Sequence, residues 1–382
     1  MRYRVTCLTP LLVGDGRRLS PIDYMVWRDQ VNVLDQSRIF RLLLKGPRLE
    51  GYLSQLKKAE KLDFASWGGF AQNFADRRIP FEHASSSGYW DKTRGEFLFI
   101  PTFAAGASGP YLPGSALKGA IRTGVVAGRL NPGALRDVAS RMQSDRPPRR
   151  PGEHVEEHTL GTPGYSRMKA VGIADSAPAS FDLLRIYLIR VSTLVARGQG
   201  VELGWKQSPR GTVDGRRPED STPLFAEMAV PGATFEGRWE EDPFFSQPEI
   251  LRALNWREAP GSAGFFDAAN RHAGGLLAAH RQYAEKAGLR ELTATLAGLE
   301  SRLEQVRQSK RGCLLQMGWG AGFLSKAAAL DTGGEAFRQI LSQVPLYGRA
   351  VQSGLPFPKT RKVVFLENRP AALPGWVSLE IQ

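Results

Sequence analysis

The sequence predicts an α+β protein of two units. Three observations carry this: a length of 382 residues, short apolar runs of strand period in both halves, and stretches of helical period between them. A chain of that length is too long for one ordinary core and short for three.

In the first half, Arg2 to Val13 alternates Tyr3, Val5 and Cys7 with polar residues and runs through Thr9-Pro10 into Gly14-Asp15-Gly16, which reads as a strand and a loop. Ile22 to Leu34 is aromatic and β-branched around Asp29-Gln30, so it folds back as a hairpin. Arg38 to Phe74 has a helical pattern, and Phe81 to Trp90 and Glu96 to Ile100 read as further strands. A Gly/Ser/Pro-rich loop from Thr102 to Pro113 leads into a helix capped by Ser115. Leu117, Ala120, Ile121 and Val125 share one face of that helix, and Lys118, Arg122 and Arg129 share another. Residues 141–164 contain Arg146-Pro147-Pro148-Arg149-Arg150-Pro151 and predict a mobile basic loop.

The β-rich runs Lys169 to Ala174 and Leu183 to Val195 are separated by Asp175-Ser176-Ala177-Pro178, and the domain boundary is expected there, near residue 180. After a basic loop from Lys206 to Arg217 come strands around Leu224 to Val230 and Thr234 to Trp239. A helical insertion is expected over about 245–310, where Leu292, Leu296, Leu299, Leu303 and Val306 form one apolar stripe, a core face or a subunit seam. Cys313 to Met317, a glycine loop, a short helix, and the strands Val363 to Leu366 and Trp376 to Ile381 complete the chain. Each half, 1–180 and 181–382, thus has a β-α-β-β-α-β-like order compatible with a ferredoxin-like unit. No clear sequence repeat relates the two.

The 51 Lys plus Arg against 38 Asp plus Glu leave a formal charge of +13, which points to a polyanionic partner, nucleic acid first. Cys7 and Cys313 stand alone in apolar surroundings, so two buried thiols in a reducing cytoplasm are expected, with neither disulfide nor metal. No apolar run is long enough to span a bilayer, and no membrane partner is expected.

Two segments suit phosphate. In Leu112-Pro113-Gly114-Ser115-Ala116-Leu117-Lys118-Gly119-Ala120-Ile121-Arg122, a glycine precedes a helix start whose free amides and flanking Lys118 and Arg122 could hold an RNA backbone. The Lys lies on the wrong side of the glycine for a nucleotide P-loop. In Gly318-Trp319-Gly320-Ala321-Gly322-Phe323-Leu324-Ser325-Lys326, small residues expose amides while Trp319 or Phe323 could stack on a base. Its glycine spacing does not fit a dinucleotide fingerprint. Either segment could instead be a structural glycine turn. Lys359 and Arg361, in Pro358-Lys359-Thr360-Arg361-Lys362, add cations at a strand entrance. His154-Val155-Glu156-Glu157-His158 matches an inverted zinc-peptidase signature, but its Pro/Gly-bracketed setting cannot hold ligands rigidly. Nothing resembles a nucleophilic relay.

Taken in order, Thr9 to Gly16, Leu112 to Arg122, Ala174-Asp175-Ser176, Gly318 to Lys326 and Phe357 to Arg361 resemble the RAMP superfamily of CRISPR-associated proteins. Within it the chain is most similar to the head-subunit family of the type III-A (Csm) complex. The resemblance implies two tandem ferredoxin-like (RRM-type) RAMP domains, no cofactor, no metal and no catalysis. It implies a subunit that binds the 3′ part of the crRNA, caps the backbone filament and supports 3′-end maturation by recruiting host nucleases instead of cutting. Partners would be the crRNA, the backbone RAMP and small subunits, and target RNA indirectly. Gly114, Ser115, Lys118 and Arg122, and Gly318, Gly320, Gly322, Ser325 and Lys326, match the family's RNA-contacting motifs, and Gly14, Arg17, Arg18, Trp319, Lys359 and Arg361 join them as candidates. Asp23 sits where the related backbone subunit keeps a target-cleaving Asp, or it only ends a turn before Tyr24. His83 is the sole early histidine available to an RNA-cleaving RAMP. An endoribonuclease, or a RAMP subunit of another type III complex, are the alternatives.

Overall fold

A computed structural model of the protein describes residues 1–58, 61–62, 73–198, 200–207 and 214–382. Parts of two expected segments, the helical pattern through Phe74 and the basic loop after Lys206, lie outside the described residues. The principal strands are β1 (Arg2–Cys7), β2 (Tyr24–Trp27), β3 (Gln30–Leu34), β4 (Ala75–Pro80), β5 (Val171–Ile173), β6 (Leu184–Arg197), β7 (Gly200–Lys206), β8 (Leu224–Ala229), β9 (Thr234–Glu241), β10 (Gly312–Gln316), β11 (Thr360–Leu366), β12 (Arg369–Ala372) and β13 (Trp376–Ile381). In chain order the helices are α1 (Gln36–Leu43), α2 (Leu49–Lys58), α3 (Ser85–Lys92), α4 (Gly114–Gly128), α5 (Ala134–Met142), α6 (Glu153–Leu160), α7 (Pro248–Ala253), α8 (Ser262–Lys286), α9 (Arg290–Ser309), α10 (Glu335–Ser342) and α11 (Pro345–Gln352).

Alternation decides the first sheet. In β1, Tyr3, Val5 and Cys7 are buried while Arg4 faces solvent and pairs with Glu236. Val5 lies between Phe235 of β9 and Leu379 of β13, so the chain's first strand is closed in by one of its last. The sheet runs β10–β13–β1–β9–β5. Taken as β1, β5, β9 and β13, with α4 and α8–α9 in the two crossovers, its strands stand in the spatial order 4-1-3-2 of a ferredoxin-like unit, and β10 extends the edge.

The second sheet is built on the long strand β6. Its first half pairs with β8 and its second half with β7, both on one side, while β11 runs along the other and turns back into β12. Residue 180 falls just before β6, and the first sheet draws strands from both sides of that position. A smaller sheet, β2–β3–β4, turns tightly at Arg28-Asp29, both at positive φ, and packs with α1 and α2 around Met25, Leu34, Ile39, Leu43 and Tyr52.

Helix α8 joins the two large cores. Phe265, Phe266 and Ala269 pack with Leu117, Ile121 and Trp239 in the first, whereas Leu276, Leu277 and Tyr283 pack with Trp205 and Trp376 in the second. On α9, Leu292, Leu296, Leu299 and Leu303 lie in this second core and Val306 is buried as well, so the stripe is a core face and no subunit seam. Each such side chain contributes about 1.5–3 kcal/mol relative to exposure.

Three local expectations need correction. Strand pattern in Phe81 to Trp90 gives way to α3, because Ser86 and Trp90, four residues apart, are the positions buried. There Trp90 donates to the Tyr24 hydroxyl, at 3.0 Å. Glu96 to Ile100 is mostly a 3₁₀ turn, Gly95–Leu98, and only Ile100–Pro101 pairs, with Arg18–Leu19. The basic loop 141–164 contains α6, whose Val155 packs on Ala134 and Val138 of α5.

Candidate nucleic-acid interface

Beyond β10 the chain enters the glycine-rich loop. Gly318 has φ +83, and a Cβ there would lie 2.3 Å from the Leu12 carbonyl oxygen. Only glycine lets the loop lie this close to the Leu12–Val13 segment, and the Trp319 amide seals the contact by donating to Leu12 at 2.7 Å. Gly320 and Gly322 also take positive φ, and Ser325 Oγ donates to the Gly322 carbonyl. On the other side, Ala104 donates to Val13 and Thr102 to the Arg17 carbonyl, which ties the Gly14–Arg18 loop to residues 101–104.

These two loops and the small-residue face of α4, Ala116, Gly119, Ala120 and Thr123, line a cleft of about 550 Å³. Gly14, Arg17, Arg18, Gly318, Trp319, Ser325 and Lys326, which lie far apart in sequence, meet here. A second cleft, of about 640 Å³, opens across the glycine loop. It shares Trp319 and Lys326 with the first and adds Gly320, Gly322, Lys206, Lys359 and Lys362. Among the described residues lining either cleft there is no carboxylate. A concave surface of one sign focuses its field and draws in a polyanion.

Lys362 lines the second cleft and packs on Trp319, which both clefts share. Its Nζ lies 3.7 Å from the Trp319 ring centroid, a cation–π contact. Burial first, and the nearby Lys326 charge second, bring its pKa down to about 8. The floor is held by buried polar groups. Arg361 Nε donates to His280 Nδ1 at 3.1 Å, so His280 carries its proton on Nε2 and donates to Gln316 Oε1 at 2.9 Å; Gln316 Nε2 in turn reaches the Pro374 carbonyl at 3.2 Å. Burial, helped by the Arg361 charge, holds the His280 pKa at about 3, so the ring stays neutral. This chain of donors ties the end of β10 to the start of β11 beneath both clefts.

Other expected contacts face elsewhere. Gly114 starts α4 with Pro113 as its cap residue; Ser115 is exposed and does not cap the helix. The Gly114 amide donates instead to Asp175 Oδ1 at 2.8 Å, and Ser176 Oγ accepts from Leu112, so Ala174-Asp175-Ser176 supplies the negative partner a helix start favours. Lys118 Nζ donates to the Val171 carbonyl at 2.7 Å, and Arg122 pairs with Glu156 of α6. Neither lines a cleft. Arg361 does line the second cleft, but as part of its buried floor: it stacks over Tyr283 and donates to the Pro358 and Thr360 carbonyls. Trp319 and Phe323 are anchors more than free platforms: Lys362 covers Trp319, and Phe323 packs edge-on against Phe337, Tyr347 and Phe357.

Asp23 Oδ2 accepts from both the amide and hydroxyl of Ser20, at 2.7 and 2.6 Å, and so closes the turn before β2. His83 Nδ1 contacts Ser85 Oγ at the start of α3, in a turn and not in a strand. His154 Nδ1 lies 3.0 Å from the Pro151 carbonyl oxygen. No group of three metal-ligating side chains is present among the described residues. Cys7 and Cys313 are buried free thiols, their pKa values pushed up by burial. No helix among the described residues is long and apolar enough to cross a membrane.

Lys206 and Lys362 line the second cleft; from sequence, Lys362 is placed only among the cations of the strand entrance, and Lys206 is not singled out. Alternation along β11 was the available signal: if Arg361, Val363 and Phe365 face the core, Lys362 must face the other way.

A ferredoxin-like sheet joined to a second antiparallel sheet fits the tandem ferredoxin-like fold that the resemblance to RAMP proteins implies. The RAMP superfamily model matches residues 4–259, and the chain belongs to that superfamily. Solved structures of similar fold include one reported as a cryo-EM structure of a Csm-crRNA-target RNA ternary complex in a type III-A CRISPR-Cas system, with a TM-score of 0.69 and 22% identity over 100% of both chains. Another is the crystal structure of T. onnurineus Csm5, with a TM-score of 0.63 and 19% identity over 98% of this chain and 99% of that one. No curated protein matches.

Proposed function

We propose that the chain is a non-catalytic crRNA-binding subunit of a type III-A CRISPR interference complex, a Csm5-like head that caps the backbone filament on the 3′ side of the crRNA and supports 3′-end maturation. One observation carries the RNA-binding part: Arg17, Arg18, Lys206, Lys326, Lys359 and Lys362 converge on two clefts joined across a glycine loop, with no carboxylate among the described lining residues. Such a surface neutralises phosphates without reading sequence, as a guide of changing sequence requires. The head position draws support from the likeness in fold to Csm5 along nearly the whole chain. The absence of catalysis draws support from Asp23, whose carboxylate is engaged by its own turn.

Residues 1–180 and 181–382 are proposed as the two RAMP units, sharing strands across that boundary. The cytoplasm is the proposed compartment, and the backbone RAMP and small subunits the proposed neighbours, with target RNA met through them.

The test is co-purification of the tagged protein from cells expressing its neighbouring genes, with sequencing of the bound RNA. Repeat-spacer RNA recovered with other RAMP subunits, and loss of mature 3′ ends when this chain is deleted, are expected. Protein free of RNA and partners would refute the proposal. Target RNA cut by the isolated protein, and spared by Asp23→Ala, would return it to the endoribonucleases.

A further inference from the structure

The two clefts differ in their walls. Among the described residues, the first is lined by α4's small side chains and has Trp319 as its one aromatic ring. The second has an aromatic wall: Phe323, Tyr347 and Phe357 lie edge-to-face, with ring centroids 5.1 to 5.7 Å apart, and all three are only half-buried. Tyr347 comes from α11, one of two helices inserted between the glycine loop and β11. Lys326, Lys359 and Lys362 line the same cleft. Its volume of about 640 Å³ is within the range of sites that enclose a small ligand, about 300–1,000 Å³. Rings offer a nucleobase a stacking surface, and the ammonium groups offer its phosphate a counter-charge.

We propose that the second cleft is a subsite for one unstacked nucleotide of bound single-stranded RNA, its base against Tyr347 and Phe357 and its phosphate toward Lys326 and Lys362, while the first cleft accepts backbone alone. This deepens the RNA-binding reading above and rests on it. The base is taken for its ring face, so any of the four bases is accepted at that position.

The experiment measures affinity of the full chain for guide-length single-stranded RNA by fluorescence anisotropy, with an abasic nucleotide placed at each position in turn. One position is expected to lose about 5- to 150-fold in affinity, the equivalent of about 1–3 kcal/mol for a stacked base. Tyr347→Leu, which keeps apolar bulk but removes the ring, should abolish that penalty, and Tyr347→Phe should retain it. Phe357→Leu provides a second variant of the same wall. A flat abasic scan alongside intact, salt-sensitive binding overturns the subsite and leaves the RNA-binding reading standing. A penalty that persists unchanged in both leucine variants also overturns it. Failure of wild type to bind unmodified RNA overturns both.

Discussion

Loss of Arg77 should cost this fold heavily, because the residue neutralises a buried carboxylate. It lies on β4 and forms a two-pronged pair with Glu227 of β8, Nη1 to Oε1 at 2.5 Å and Nη2 to Oε2 at 3.2 Å. Glu227 is fully buried. Among the described residues its only other hydrogen bond comes from the Phe103 amide, at 3.3 Å. Arg77→Met would therefore leave a carboxylate stranded between the small sheet and the second large one, which costs about 3–5 kcal/mol. At about 2.1 cal/mol/K per residue, 382 residues carry an unfolding entropy of about 0.8 kcal/mol/K, so Tm should fall by about 4–6 °C. Burial holds the Glu227 pKa above the ordinary carboxylate value, although Arg77 pulls it down. A carboxyl that binds its proton more tightly in the folded state contributes stability that is lost as pH rises above the ordinary carboxylate range. Removing Arg77 enlarges that loss, so the gap between wild type and variant should be wider at about pH 7.5 than at about pH 5. Adding Glu227→Gln, which still accepts from Phe103, should recover most of the deficit. Calorimetry of the three proteins at both pH values measures all of this. An unchanged Tm in Arg77→Met, or a double variant no better than the single one, would refute the reasoning.

Salt dependence tests the clefts: Arg361 is buried and Arg17 is paired with Asp15, which leaves Arg18, Lys206, Lys326, Lys359 and Lys362 in the lining, so log K for single-stranded RNA should fall with log salt at a slope of about −3.5, and Lys326→Ala with Lys359→Ala should flatten it by about 1.4. Lys118→Ala with Arg122→Ala should leave the slope as it is, since both side chains are bonded within the chain. A phosphate beside Lys362 raises a pKa that stands at about 8 in the free protein, so binding takes up a proton and affinity should weaken as pH rises through that value. Lys362→Arg, charged throughout, should remove this dependence in the same titration. Two glycines of one motif should respond oppositely in denaturant midpoints. Gly114→Ala places a Cβ 2.2 Å from the Ile173 carbonyl oxygen and should lose about 1–3 kcal/mol. Gly119→Ala enters open space in mid-helix and should gain about 0.5–1 kcal/mol.

What the amino-acid order determines by itself is local. Tyr3, Val5 and Cys7 announce a half-buried strand, the Leu292-to-Val306 spacing announces a helix with one wet face, and the apolar run in β6 announces a strand buried on both sides. Each is legible because burial on one face repeats at the period of the backbone itself. The glycine-rich loop is legible as a loop of unusual backbone for a related reason: positive φ at Gly318, Gly320 and Gly322 leaves its mark on residue type. Helix α8 was hidden within a broad helical region because it changes cores midway, so no single stripe runs its length.

Tertiary structure decided what each residue meets. Nothing local in β1 names β13 as its neighbour, and nothing in α4 says that Lys118 will find a strand carbonyl and Arg122 a carboxylate from α6. Arg361 and Lys362 are adjacent and both line the second cleft, yet one is buried in its floor against His280 while the other lies over Trp319 in its wall. A charge is free for a ligand only when folding has brought it no partner of its own, and that depends on contacts between segments far apart in the chain.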